Sequence, residues 1–127
     1  MPECPFCNLD PKSVFAETEH AAAIYDAYPV TNGHLLIVPT RHVKSIFDLD
    51  EEEQIQIWQL VAECRSIQKK ESNPDGFNIG INDGPAVGQT IEHAHVHLIP
   101  RDHGDHPDPR GGIRWVLPTK ADYWSEG

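Results

Sequence analysis

The chain lacks any apolar run approaching the roughly 20 residues of a membrane-spanning helix, and its opening, MPECPFC, lacks the basic start and apolar core of a secretory signal. A cytoplasmic protein is therefore expected, in a compartment where disulfides are rare. Cysteine is scarce, and three residues leave one over in any pairing scheme. Basic residues are scarce too. Ten Lys and Arg stand against 20 Asp and Glu, a formal net charge of −10, which argues against general nucleic-acid binding, since that rests on Lys and Arg neutralising phosphates. Neither nucleic acid nor a membrane is expected as a partner. A small phosphate ligand is not excluded, because backbone N–H groups and a few polar side chains can hold it whatever the sign of the outer surface.

There is no internal repeat and no low-complexity segment. With 39% hydrophobic and 24% charged residues, 127 residues suit one globular domain, 1–127, with a proper core. SVFAETEHAAAIYD predicts two short strands joined by a polar turn at Glu17 to Glu19. HLLIVP predicts a buried strand after a loop broken by Pro29 and Asn32-Gly33. The clearest helix starts at Asp50, where Glu53 three residues on suits a capping box, and Lys69 and Lys70 suit its negative end. Its core stripe is Ile57, Leu60, Val61, Cys64 and Ile67, with Cys64 read as inert core. FNIGIN alternates, setting Phe77, Ile79 and Ile81 on one face of a half-buried strand. Strands with one main helix on one face indicate an α+β domain. The segment from about 102 to 127 is too rich in Pro, Gly and Asp for a long helix and is expected as an extended tail, with IRWVLP a short strand or arm. His103 and His106 are expected in solvent, and Trp115 and Trp124 in packing.

One stretch is richer in histidine than chance suggests: IEHAHVHLIPR, Ile91 to Arg101. As a strand it would turn His93, His95 and His97 to one face and Ala94, Val96 and Leu98 to a core on the other. Metal binding by all three is awkward, because same-face neighbours stand roughly 6.5–7 Å apart while zinc bonds are about 2 Å. Phosphoryl chemistry fits better. A histidine can be a covalent nucleophile and its neighbours can set its tautomer or meet phosphate charge. The upstream NDGPAVGQT supplies glycines for close approach and Asn82, Gln89 and Thr90 as uncharged hydrogen-bonding partners. CPFC stays open between zinc, redox exchange and coincidence, although no βαβ pattern supports the redox reading.

GHLLIVPTRH, NDGPAVGQT and HAHVHLIPR, in this order with a helix between the first two, resemble the histidine-triad superfamily of nucleotide hydrolases and transferases, from about Cys4 to Arg101. The resemblance implies an antiparallel sheet with one main helix, paired into a homodimer. Trp58, off the core stripe of the helix, fits a partner surface. It implies that His95 attacks the α-phosphorus, that His97 contacts phosphate and the leaving-group side, and that His34 orients the nucleophile's surroundings. Gln89 and Thr90 match α-phosphate-binding positions, Asn82 a phosphate contact, and Asp26 the residue holding the ribose hydroxyls of a purine nucleotide. In zinc-containing relatives an N-terminal C-x-x-C joins an early histidine and the first of the triad, which here are Cys4, Cys7, His42 and His93. The triplet is thereby divided between a structural zinc, catalysis and phosphate binding.

The same resemblance implies a nucleotidyl hydrolase of phosphoanhydrides or phosphoramidates, working through a nucleotidyl-histidine intermediate. DGPAVGQT and LIPR resemble the diadenosine-polyphosphate hydrolase branch, whereas Asp26 and Asn82 resemble the nucleoside phosphoramidase branch. In relatives the C-terminal segment shapes the leaving-group pocket. Two other classes remain: a nucleotide-binding regulator or adaptor without turnover, and a zinc-dependent interaction module using CPFC.

Overall fold

The computed structural model describes residues 4–125. Five strands, β1 (Val14–Glu17), β2 (Ala21–Tyr25), β3 (Leu35–Pro39), β4 (Gly76–Ile81) and β5 (Val96–Arg101), form one antiparallel sheet in the order β1-β2-β3-β5-β4. The long helix α1 (Glu51–Glu71) packs on one face. This is the expected α+β architecture.

Helix α1 begins as its sequence dictates. The Asp50 carboxylate accepts from the Glu53 N–H at 2.9 Å and the Glu53 carboxylate accepts from the Asp50 N–H at 3.1 Å, a complete capping box. Arg41 also donates to both Glu53 oxygens, at 2.7 and 3.2 Å, and holds that carboxyl down at about 2. Further along, Ile57, Leu60, Val61 and Cys64 are buried against Leu35, Ile37, Val96 and Leu98. Each large aliphatic side chain so buried contributes about 1.5–3 kcal/mol. The stripe ends differently from expectation: Ile67 is only half-buried and Gln68 turns inward, donating to the Gly33 carbonyl at 2.7 Å. Gly33 has φ +87°, and a Cβ there would stand 3.2 Å from the Gln68 amide nitrogen. The turn thus needs glycine for its conformation and offers little room for anything larger.

The opposite face carries the site. His97 lies in register with Leu36 of β3 and Gly80 of β4, so all three share this face. Phe6 covers one part of it, over Ala22, Ile24, Leu36 and Val38. β4 is an edge strand, and Ile79 is exposed while its face-mates Phe77 and Ile81 pack on the core.

Two expectations are corrected. The strand expected from Ile91 starts only at Val96, because residues 91–93 form a bend and the Ala94 N–H is taken by the Val43 carbonyl at 2.7 Å. The alternation of faces survives, with Ala94, Val96 and Leu98 in the helix-side core. IRWVLP is neither strand nor arm. Gly112–Val116 makes a 3-10 turn leading into the short helix α2 (Pro118–Ala121), and Arg114 pins it by donating to the Lys120 and Ala121 carbonyls at 2.7 and 2.9 Å. The segment is therefore folded, not extended. Trp115 donates to the Arg110 carbonyl and Trp124 lies under the Arg110 guanidinium, while His103 and His106 are exposed.

Candidate active site and metal centre

Each imidazole of the triplet has one nitrogen consumed by a fixed partner, and that choice settles what the other can do. His95 Nδ1 lies 2.9 Å from the His93 carbonyl oxygen. A carbonyl only accepts, so Nδ1 carries the proton and Nε2 keeps a bare lone pair. His93 Nε2 lies 2.8 Å from the Pro39 carbonyl, so its proton is there and Nδ1 is bare. The third assignment comes through His34. Its Nδ1 accepts from the Val30 N–H at 3.2 Å, which puts its proton on Nε2, 2.9 Å from His97 Nδ1. His97 accepts there and presents Nε2–H outward. Burial pushes the His97 imidazole down to about 4, helped by His95 and His34 and opposed by Asp26, so it is neutral at pH 7.

Asp26 reaches this group through β-pairing. Its N–H donates to the His34 carbonyl at 3.0 Å, closing the loop between β2 and β3. This brings Asp26 Oδ2 to 3.4 Å from His34 Nε2 across eight residues of sequence. Burial lowers the His34 imidazole, and the Asp26 charge partly offsets that.

Asp26, Asn82, Thr90, His95 and His97 line one open cavity of about 860 Å³. Gln89 stands apart. Its side chain accepts from the Gly84 N–H and donates to the Lys44 and Ile91 carbonyls, so it braces the glycine-rich loop from within. The far wall is apolar and was not foreseen: Phe6 and Leu9 from the N-terminal segment face Ile24, Leu36 and Ile91. Phe6 stands between two cysteines in the sequence, where the cysteines attract the attention. A second cavity, about 560 Å³, continues along β5 between Asn78, Ile99, Ile113 and Trp115.

The four residues expected around a metal also meet. Cys4 Sγ and Cys7 Sγ lie 3.3 and 3.6 Å from His93 Nδ1, and His42 Nδ1 lies 3.2 Å from both His93 Nδ1 and Cys7 Sγ. All four donor atoms are within 4.8 Å of one another. Ligands on a tetrahedral zinc stand roughly 3.3–3.8 Å apart, from bonds of about 2.0–2.3 Å. The fit is therefore close. The chemistry agrees, since two thiols and a fully buried imidazole aim donors at one point and the bare lone pair of His93 needs a cation or a proton there. Arg41, clamped to Glu53, fixes the chain next to His42.

The HIT domain family model matches residues 9–104. The chain belongs to the HIT family. The curated bis(5'-adenosyl)-triphosphatase of Dictyostelium discoideum is 39% identical over 88 residues, covering 69% of this chain and 59% of that protein. The asymmetrical bis(5'-nucleosyl)-tetraphosphatase of Schizosaccharomyces pombe is 37% identical, covering 72% of this chain and 50% of the relative. The chain thus spans between half and three-fifths of the length of these two relatives. Among solved structures, a zinc-bound histidine triad family protein from Mycobacterium smegmatis superposes with a TM-score of 0.67 at 32% identity, covering 75% of this chain and 73% of that one. Cys4, Cys7 and the C-terminal turn lie outside the HIT match. No helix among the described residues is long and apolar enough to cross a membrane.

Proposed function

We propose that this HIT chain is a nucleotidyl hydrolase that cleaves at the α-phosphate of a dinucleoside polyphosphate or an AMP-amine phosphoramidate. The observation that carries the reading is the hydrogen bond from His95 Nδ1–H to the His93 carbonyl, which leaves Nε2 as an unprotonated nucleophile at the cavity wall. The lone pair of His95 Nε2 attacks the α-phosphorus, and the bond to the bridging oxygen or nitrogen breaks with its electron pair leaving on that atom. His97 Nε2–H is placed to hydrogen-bond the developing charge, and the leaving oxygen or nitrogen takes its proton from water. Water then attacks the nucleotidyl-His95 phosphorus, the P–N bond breaks with its electron pair returning to His95 Nε2, and the proton lost by the water passes to solvent as the nucleoside monophosphate leaves. His34 fixes the His97 tautomer. Thr90 and Asn82 supply phosphate contacts, Gln89 holds the loop that carries Thr90, Asp26 takes ribose hydroxyls, and the apolar wall takes a purine. The leaving group extends over His97 toward the cavity beside Ile113. The similarity to a triphosphatase and a tetraphosphatase supports the polyphosphate form of the substrate.

Cys4, Cys7, His42 and His93 hold a zinc ion in this reading. With four protein ligands it supplies rigidity, tying the N-terminal segment to the triad. The similarity to a zinc-bound relative supports this assignment. A homodimer is the expected assembly, with the exposed Trp58 and Ile55 on α1 offering an apolar surface. A stable 14.3 kDa species in sedimentation at micromolar concentration removes the dimer.

The reading is tested by supplying diadenosine triphosphate, diadenosine tetraphosphate and a lysyl-AMP phosphoramidate, following AMP release, and quenching with denaturant at alkaline pH, which spares a phosphorus–nitrogen bond, to weigh the protein. Turnover with an AMP adduct that His95→Ala lacks is the expected result. Tight nucleotide binding without AMP release from any of them favours a binding regulator instead.

A further inference from the structure

Phe6 belongs neither to the metal ligands nor to the hydrogen-bonded histidines, yet it touches both groups. Its ring stands edge-on to His93, with centroids 5.7 Å apart and planes at 89°, and edge-on to His95, at 5.2 Å and 67°. It is 7% exposed. His95 also meets His97 edge-on, at 5.2 Å and 67°. The one hydrogen bond of His95, to the His93 carbonyl, fixes a single ring nitrogen and leaves the imidazole free to swing about that contact. Phe6 and His97 are the two walls that stop the swing. One of those walls is carried by the Cys4–Cys7 turn, whose closing bond runs from the Cys7 N–H to the Cys4 carbonyl at 3.2 Å.

We propose that Phe6 is a positioning residue for His95, holding the nucleophilic imidazole in register for attack and making the Cys4–Cys7 turn act on catalysis through an aromatic edge. The physical basis is twofold. Edge-to-face aromatic contacts favour one relative orientation, and an imidazole misplaced by about 1 Å can forfeit a large part of the rate while leaving substrate binding intact. Phe6 also excludes water from His95, which itself is only 8% exposed, and so keeps the lone pair from being spent on solvent. The proposal rests on His95 being the nucleophile, but it concerns the orientation of the ring, which can be read without any substrate.

The experiment compares Phe6→Leu, which keeps apolar bulk but removes the planar wall, with Phe6→Tyr, which keeps the ring. In protein labelled with ¹⁵N at histidine, the parent and Phe6→Tyr should show His95 as one sharp ring form with its proton held at Nδ1. Phe6→Leu should show averaged or broadened His95 nitrogens while retaining the metal content of the parent. With diadenosine triphosphate, kcat of Phe6→Leu should fall roughly fivefold to tenfold, a larger change than the rise in KM expected from its share of the apolar wall, and Phe6→Tyr should recover most of the kcat. Unchanged His95 resonances in Phe6→Leu overturn the proposal. So does a rise in KM with kcat unchanged, which leaves Phe6 a wall of the base pocket and nothing more, and so does loss of zinc, which makes it a prop for the metal. If the parent protein releases no AMP, the hydrolase reading fails, and the nitrogen spectra still decide whether Phe6 orients His95.

Discussion

His93 and His97 are four residues apart, both are pushed down by burial, and both carry their proton on Nε2; they nevertheless offer opposite chemistry. In His93 the proton is spent on the Pro39 carbonyl and the lone pair of Nδ1 is left over, facing two thiols. In His97 the lone pair is spent on His34 and the proton is left over, facing the cavity. What each end can offer is therefore set by which nitrogen the neighbour consumes. Identity of the side chain sets only the repertoire. His95, between them, is the reversed case, with its Nδ1 proton spent on a carbonyl and its Nε2 lone pair kept.

The most severe break of this contrast is at its centre. His95→Ala should lower turnover by more than about a hundredfold while nucleotide affinity, measured by calorimetry, changes little, because no other group offers a bare nitrogen to phosphorus. At the His93 end, Cys4→Ser should release zinc from a site of about one ion per chain, as read by metal analysis. It should lower Tm by an amount on the order of 10 °C. A fall in activity at low temperature no larger than that of Phe6→Leu, with the rest lost on warming, marks a structural ion. Loss of activity by chelation with Tm unchanged marks a catalytic one. At the other end, His34→Asn removes the donor that fixes His97 and should cost roughly tenfold in kcat with zinc content unaffected, which separates the two ends.

The smallest effect is one of pH. His97 faces His34, His95 and Asp26, and its folded value of about 4 lies below the ordinary 6.5. The unfolded chain therefore takes up a proton between those values that the folded chain refuses. Stability from this group is fully present above about pH 6.5 and drains away as pH falls toward 4. A urea midpoint that declines over that window in the parent, and declines less in His97→Asn, is the expected result. Equal slopes in both proteins place the dependence elsewhere.

Much of the fold was legible in the chain itself. The capping box at Asp50 and Glu53, the period-3.6 stripe and the alternating apolar strands each arise from local geometry, so neighbouring residues suffice to read them. The gathering of Asp26, His34, His95 and His97 followed from a resemblance, and β-pairing supplies its physical cause. What stayed illegible depends on partners distant in sequence. A glutamine amide serves a phosphate or a carbonyl equally well, and only the folded loop shows Gln89 spent on backbone. Gln68 takes a stripe position from Ile67 because the Gly33 carbonyl waits opposite it. The late start of β5 reflects the Val43 carbonyl drawing off a backbone donor, and the tail folds because one arginine side chain gathers two carbonyls.

The Cys4, Cys7, His42 and His93 cluster joins residue 4 to residue 93, and that separation bears on the order of events during synthesis. At about 5–20 residues per second, the two cysteines leave the ribosome several seconds before the histidine they await exists. Closing so long a loop costs entropy that β2, β3 and α1 must largely have met already by drawing the chain ends together. The cluster is thus expected to close late, as a clasp over the β2–β3 pairing. During that interval the nascent chain carries two uncommitted thiols, and metal scarcity at that moment would leave a nearly complete fold with the Cys4–Cys7 cover unfastened.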